Sequence, residues 1–424
     1  MAKATWDYGE NSPNVRRSVT YPVLGYIMTA RSRRMGNDRS QWDRSCENRP
    51  PHFGYKRPMK TTLSEGSSGD GTGAQRLGFA VKVIGESGLK ANDARRWQSD
   101  PHLSVTIGYL HEIFSYLAKN KITMYRMSSD LAPYCTHPDM PQFWGQIDEC
   151  GDGLAALGKA ARKNNLRLSM HPSQFIVLNS PDTVLVEKSV RDLLAAAEIL
   201  DAMEMGPEAV LIIHVGGTYG DHKTGCERWV ETYRTLPEPV RRRLVLENDD
   251  IRYSAADVLS IHDETGVPLV FDNLHFWCNN PERLPITETF RKFLRTWTAA
   301  RPKMHFSSPN TAMREVRRKD KTTNKLATFY QQPIWTGHAD FLHPFEFVQF
   351  VRDAFSAPDT PRFDVMLEAK AKDIALLRLR RDLARYAPDV AARFGLAGLA
   401  ETDDTEYYDD GVEAGNESEG KMVE

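Results

Sequence analysis

His171, His214, Glu247, Asp272, His275, His305 and Glu368 are spread over about 200 residues of a 424-residue chain. Between them they offer imidazole nitrogens and carboxylate oxygens but no thiolate. Such a set suits Zn²⁺ or Mn²⁺ and disfavours Cu(I) or iron–sulfur chemistry. It also holds more donors than one four-coordinate ion needs, which points to two or three ions sharing carboxylates. Clusters of that kind clamp the attacking and leaving oxygens of an in-line phosphoryl displacement and lower the pKa of a bound water. His338, in Trp335-Thr-Gly-His-Ala-Asp340, is a further candidate from a loop. Lys303 stands two residues before His305, so in a strand both side chains face the same side. An ammonium aimed at divalent cations would be repelled. The lysine must lose its proton, turn away to a carboxylate or a phosphate, or react as a free amine with carbon dioxide to give a carbamate.

Scattered donors meet only if the fold gathers them. Eight short apolar runs precede or contain them: Arg76–Ala80, Ile122–Met127, Arg167–His171, Ala209–His214, Arg243–Glu247, Pro268–Asp272, Lys303–Ser307 and Phe363–Glu368. Most are rich in Val, Ile, Leu, Phe and Met, as strands buried on both faces should be. Helix-length segments lie between them. In one, Val186, Val190, Leu193, Leu194, Ala197 and Leu200 keep helical spacing behind Ser180-Pro181, which reads as an N-cap followed by proline at the first helical position. Eight strand–helix units predict an α/β fold, a (β/α)8 TIM barrel, with the polar run ends converging on its C-terminal face. A doubly wound dinucleotide-binding sheet would need a glycine-rich turn after the first strand, and Gly78-Phe-Ala-Val-Lys82 has none.

Composition narrows the rest. Hydrophobic residues make up 41% and charged residues 26%, enough for a soluble core without disulfides. The five cysteines are scattered and form no C-x-x-C pair, which speaks for a reducing compartment and against a cysteine zinc site. No run reaches the roughly 20 apolar residues of a membrane helix, and the first residues lack a signal-peptide pattern. The expected locations are therefore the cytoplasm or nucleoid of a prokaryote, or the nucleus or mitochondrion of a eukaryote. Residues 1–61 hold 12 Lys/Arg against 5 Asp/Glu, or +7, and residues 401–424 hold 10 acids against Lys421, or -9. With a total of -2, residues 62–400 come to -2 - 7 + 9 = 0. The expected organisation is a basic, flexible extension and Gly/Ser linker over 1–75, a barrel over 76–399, and an acidic, disordered tail over 400–424.

Six segments together resemble the ultraviolet-damage endonuclease family. They are Ser169-Met-His-Pro-Ser-Gln174, Ile213-His-Val-Gly-Gly217, Leu246-Glu-Asn-Asp249, Phe271-Asp-Asn-Leu-His275, Lys303-Met-His305 and Asp364-Val-Met-Leu-Glu-Ala-Lys370. The resemblance runs from about Arg76 to Lys372. It implies a barrel shared with endonuclease IV and a site of up to three divalent ions, usually manganese, with zinc or magnesium as alternatives. The ligands it implies are His171, His214, Glu247, Asp272, His275, His305, His338 and Glu368. It further implies a carboxylated Lys303 near the metals, His137 of Cys135-Thr-His-Pro138 close to the scissile phosphate, and Gln174 and Phe175 as a pair that wedges into the duplex. Phe79 joins them as a lesion-binding aromatic; where this chain has Phe79 and Phe175, relatives often carry Tyr. The activity implied is incision of damaged double-stranded DNA by a monomer, 5′ to pyrimidine dimers and 6-4 products, with abasic sites as a second substrate.

Three alternatives stay open on the sequence alone: an endonuclease IV-like abasic-site enzyme, a sugar isomerase of the same barrel type with two metals, and a protein that recognises damage without cutting. Arg314-Glu-Val-Arg-Arg-Lys-Asp-Lys-Thr-Thr-Asn-Lys325, a basic insertion after the seventh run, favours a polyanion at the site's rim.

Overall fold

Each apolar run contains one four-residue strand: β1 (Leu77–Ala80), β2 (Met124–Met127), β3 (Arg167–Met170), β4 (Val210–Ile213), β5 (Leu244–Glu247), β6 (Leu269–Asp272), β7 (Lys303–Phe306) and, beyond an inserted hairpin of β8 (Arg314–Lys319) and β9 (Leu326–Gln331), β10 (Asp364–Leu367). The computed structural model describes residues 73–397. The expected basic head and acidic tail lie outside the described residues. The barrel strands pair in parallel and close in the order β1-β10-β7-β6-β5-β4-β3-β2. Helices such as Leu103–Lys119, Gly151–Lys163 and Thr183–Ala202 carry the chain from one strand to the next around the outside. This is the TIM barrel that the alternation of runs predicts. Among the described residues no helix is long and apolar enough to cross a membrane.

The two-residue period of a strand sorts the side chains. Leu211, Ile213, Leu244, Leu246, Leu269, Phe271, Met304 and Phe306 point outward and join the main core under the helices. Val210, Ile212, Val245 and Val270 form a separate cluster inside the barrel, as do Ala80, Met124 and Met366. Gly78 allows a close approach of β1 to β2 inside the barrel: a Cβ there would lie 2.6 Å from the Met124 carbonyl oxygen. Truncating an outward residue such as Leu211 to Ala should cost about 2–5 kcal/mol, as buried leucines generally do.

One local expectation needs correction. The helix expected to start at Ser180-Pro181 begins at Thr183, with Asp182 as N-cap accepting from the Val184 amide at 3.0 Å. Ser180 instead accepts from the Asp182 amide at 3.1 Å, so its hydroxyl is used two residues before the cap. The basic insertion after β7 is the antiparallel hairpin β8–β9, registered from Arg314↔Gln331 to Lys319↔Leu326.

The N-terminal end of the barrel is closed by charge. Arg167 reaches across the interior to Asp364, Nη1 to Oδ2 at 2.8 Å. Arg76 and Arg301 approach the same carboxylate at 3.3 and 3.4 Å, and the Arg76 amide donates to Asp364 Oδ1 at 2.9 Å. Burial pushes the Asp364 pKa up, but Arg167 and Arg76 outweigh it and hold it below the usual carboxylate value.

Candidate metal centre

At the opposite end, inward positions carry the predicted donors. Glu247 closes β5, is 1% exposed, and sits at the centre. Its Oε2 lies 3.1 Å from His171 Nε2 and 3.8 Å from His214 Nε2. Its Oε1 lies 2.9 Å from His305 Nδ1 and 3.6 Å from His275 Nδ1. From β10's end, Glu368 brings Oε1 to 3.2 Å from His305 Nδ1 and Oε2 to 3.8 Å from His338 Nδ1. Asp272 closes β6, and its Oδ1 caps the short helix Asn273–Cys278 by accepting from the His275 amide at 2.8 Å. All eight side chains expected to ligate thus meet, including His338 from its loop. The loop is held by a bridge between Pro309 and His338.

The arrangement is short of positive charge. Three buried carboxylates, Glu247, Asp272 and Glu368, face imidazoles and the guanidinium of Arg126, which pairs with Glu368. Burying unpaired charge is expensive. Burial raises the Asp272 pKa, Glu247 and Glu368 add to the rise, and His275 and His305 oppose it. Burial also pushes Glu247 upward, but His305, His214 and the hydrogen bond from His171 outweigh it and hold the carboxyl well below its usual range. Burial works against Glu368 likewise, and Arg126 and His305 more than reverse it. His275 is drawn down by burial yet ends at about 9, because Asp272, Glu247 and Glu368 surround it. Burial lowers His214.

The donor atoms fit a metal cluster. Asp272 Oδ2, His305 Nε2 and His214 Nδ1 are buried without any hydrogen-bond partner. Buried polar atoms seldom stay unpaired, so such atoms need an explanation. His171 Nδ1 lies 3.1 Å from the Pro172 carbonyl and His275 Nδ1 lies 3.0 Å from the Asn248 carbonyl. A neutral imidazole that donates from Nδ1 presents a lone pair at Nε2, the orientation usual for ligating histidines. His171 Nε2, which faces Glu247 Oε2 at 3.1 Å, is the atom that would turn a lone pair to a cation entering beside that carboxylate. Two triads, His171/His214/Glu247 and Glu247/Asp272/His305, each hold their donor atoms within 4.8 Å of one another. Glu247 belongs to both. His222, Cys226 and Asp257 form another group that shares no residue with these triads, and there His222 Nε2 already has the Arg252 carbonyl at 3.0 Å.

The other expected residues fall in different places. Lys303 is 1% exposed and donates to Ser169 Oγ at 2.8 Å. Burial, then the neighbouring Arg167 and Arg126, depress its pKa well below the usual lysine value against the pull of Glu247 and Glu368. Gln174 and Phe175 sit on the loop after β3, in a turn closed by the Ile176 amide on the Ser173 carbonyl at 2.9 Å. Phe175 is 73% exposed, far more than an apolar ring gains from its own fold. His137 is half-buried beyond β2, where its Nδ1 accepts from the Asp139 amide at 3.2 Å. Its described partners are local rather than in the cluster. Phe79 does not reach the surface. It lies on the outward face of β1, 0% exposed and edge-on to Tyr125 at 5.5 Å, and has no face to offer a duplex.

Sequence reasoning missed Arg126 and the positioning role of Asn248. Arg126 is legible in hindsight as the lone charge in the apolar run Ile122–Met127. Asn248 accepts from the Asp272 amide at 2.9 Å and donates to the Asp272 carbonyl at 3.1 Å, locking the ends of β5 and β6 together. Only the strand pairing reveals that.

Comparison with known proteins gives the chain a family. The family described as UV-endonuclease UvdE matches residues 103–393. The UV DNA damage endonuclease of Bacillus velezensis is 32% identical over 296 residues, covering 69% of this chain and 85% of the relative. That of Clostridium perfringens is 28% identical over 290 residues, covering 66% of this chain and 64% of the relative. Among solved structures, that of SacUVDE superposes with a TM-score of 0.61 at 28% identity, over 73% of this chain and 98% of the other.

Proposed function

The chain belongs to the UV-endonuclease UvdE family, and on that premise we propose that it is a DNA-repair endonuclease that hydrolyses the phosphodiester 5′ to ultraviolet photoproducts. One observation carries the reading furthest: Glu247 is shared by two donor triads, in which His214 Nδ1, Asp272 Oδ2 and His305 Nε2 are buried without a hydrogen-bond partner. His171, His214, Glu247, Asp272, His275, His305, His338 and Glu368 would hold the ions. Bound divalent cations, manganese before zinc or magnesium, would supply charge neutralisation and Lewis acidity for phosphodiester hydrolysis.

The chain's own residues set up the rest. The Pro172 carbonyl fixes the His171 ring with Nε2 turned toward Glu247, and the Asn248 carbonyl holds the His275 ring through Nδ1. Arg126 holds Glu368 ionised. The exposed Gln174–Phe175 turn is suited to enter a distorted base stack, where an aromatic face contributes about 1–3 kcal/mol. His137, on the neighbouring loop, is assigned to the scissile phosphate. Lys303 is a buried amine whose charged form is disfavoured by burial and by the neighbouring Arg167 and Arg126. Its lone pair can attack carbon dioxide, forming an N–C bond as one C=O π bond opens to an oxygen anion and the nitrogen's proton leaves to water. The resulting carbamate would add an anionic donor beside the cluster. Family membership and the exposed Phe175 favour a duplex over a sugar substrate.

Incision mapping tests the reading. An end-labelled duplex carrying one pyrimidine dimer should be cut immediately 5′ to the lesion by the full-length protein with Mn²⁺. Cutting elsewhere, or equal cutting of the undamaged duplex, would overturn it.

A further inference from the structure

The hairpin β8–β9 has two unlike faces. One carries Val316, Ala327 and Phe329, all half-buried, with the Arg318 guanidinium 4.6 Å over the Phe329 ring. The other carries Arg317 and Lys319 beside Leu326 and Tyr330, all exposed, with Leu326 at 69% and Tyr330 at 63%. The tip, Asp320 to Lys325, is set by its own hydrogen bonds. The Asp320 amide donates to the Lys325 carbonyl at 2.8 Å, and Asp320 Oδ1 accepts from the Thr322 and Thr323 amides at 2.9 and 2.7 Å. Residues 314–325 hold six cations (Arg314, Arg317, Arg318, Lys319, Lys321, Lys325) against Glu315 and Asp320, or +4.

A two-stranded ribbon is barely stable in water by itself, and cations on its edges guard against pairing with other chains. That protection explains the Lys and Arg residues. It does not explain why Leu326 and Tyr330 are kept in solvent among them. Position supplies the reason. The hairpin's root is fastened to the metal centre: the Asn310 amide donates to the Gly337 carbonyl at 2.6 Å, the Ala339 amide donates to the Ser308 carbonyl at 2.9 Å, and His338 between them faces Glu368. In the closed order of eight strands, β7, from which the hairpin springs, lies four places from β3, which bears the Gln174–Phe175 turn. The two exposed aromatic elements therefore rise from opposite sides of the barrel mouth.

We propose that the 314–331 ribbon is a duplex clamp, its Arg317, Lys319 and Tyr330 face gripping the DNA backbone across the mouth from Phe175. Ribbons of this kind are narrow enough to track a duplex groove, and its cations would bind phosphates regardless of sequence. This rests on the reading of the protein as a DNA endonuclease.

The test is binding of the full-length protein to a short, undamaged fluorescent duplex in chelator, followed over a salt series. Replacing Arg317, Lys319, Lys321 and Lys325 with Gln should weaken binding by about tenfold or more. It should also make the slope of log affinity against log salt shallower by about 0.9 for each phosphate that the variant no longer neutralises. Arg317→Lys with Lys319→Arg should keep the slope, and Tyr330→Ala should weaken binding without changing it. An unchanged slope in the four-site variant would overturn the clamp. So would a change in self-association alone, which would assign the face to a second copy of this chain. Nicking of irradiated plasmid by the unaltered protein is read in parallel. If that fails, the endonuclease reading fails; if it succeeds while the slope is unchanged, only the clamp fails.

Discussion

Asp272 and Asp364 are both aspartates of barrel strands with 0% exposure, and their pKa values are shifted in opposite directions. Asp364 opens β10 at the N-terminal end, where Arg167, Arg76 and Arg301 surround it. Asp272 closes β6 at the C-terminal end, where its neighbours include Glu247 and Glu368 and its Oδ2 has no partner. One end of the barrel is a closed ion network, Arg167 Nη2 excepted. The other is a set of donors held together against their own repulsion. A fold tolerates the second arrangement when something else supplies the positive charge, which is why the C-terminal end reads as chemistry and the N-terminal end as stability.

The largest expected effect lies at the shared carboxylate. Glu247→Ala should lower incision of damaged DNA by at least on the order of 10²–10³-fold, the scale of one preorganised charge contact. The barrel should remain folded by circular dichroism. Loss of folding together with activity would mean that Glu247 belongs with the stabilising end instead.

Asp364→Asn should do the reverse. Removing one partner of a buried ion network costs about 3–5 kcal/mol, so unfolding in urea should shift strongly while incision per folded molecule is kept. The pH dependence follows. Between the folded and unfolded pKa values of Asp364 the unfolded chain binds more protons, so stability rises with pH. The contribution is complete above about pH 4 and is lost as the pH falls through the lower, folded value.

The smallest effect should come from Asp272→Asn in metal-free protein. Here the folded pKa is the higher one, the folded chain binds more protons in the window, and this group's contribution falls as pH rises. Removing its charge should therefore leave stability at neutral pH within about 1 kcal/mol of the parent or raise it. A loss as large as that of Asp364→Asn would erase the distinction between the two ends.

The sequence makes the barrel legible because each strand is a short apolar run with its chemistry at one end; His171, His214, Glu247, Asp272 and Glu368 mark where β3, β4, β5, β6 and β10 stop. It makes the donor set legible because imidazole and carboxylate seldom follow so many apolar runs. Features that depend on partners in space are not legible in this way. Phe79 resembles a lesion contact by type, but its place beside Leu77 on the outward face of β1 buries it against Tyr125. The basic insertion gives no sign of being a ribbon until Val316 and Phe329 are seen to pair. Asn248 and Arg126 matter through the residues they hold, and those lie on other strands.

Metal content is the most direct test of the central claim. The full-length protein and its Glu247→Ala variant, each loaded with Mn²⁺ and desalted, are compared by elemental analysis and by nicking of ultraviolet-irradiated plasmid with and without chelator. The account predicts at least two ions per chain in the parent, fewer in the variant, and nicking that disappears with the metal. Full metal content in the variant, or chelator-resistant nicking by the parent, would contradict it.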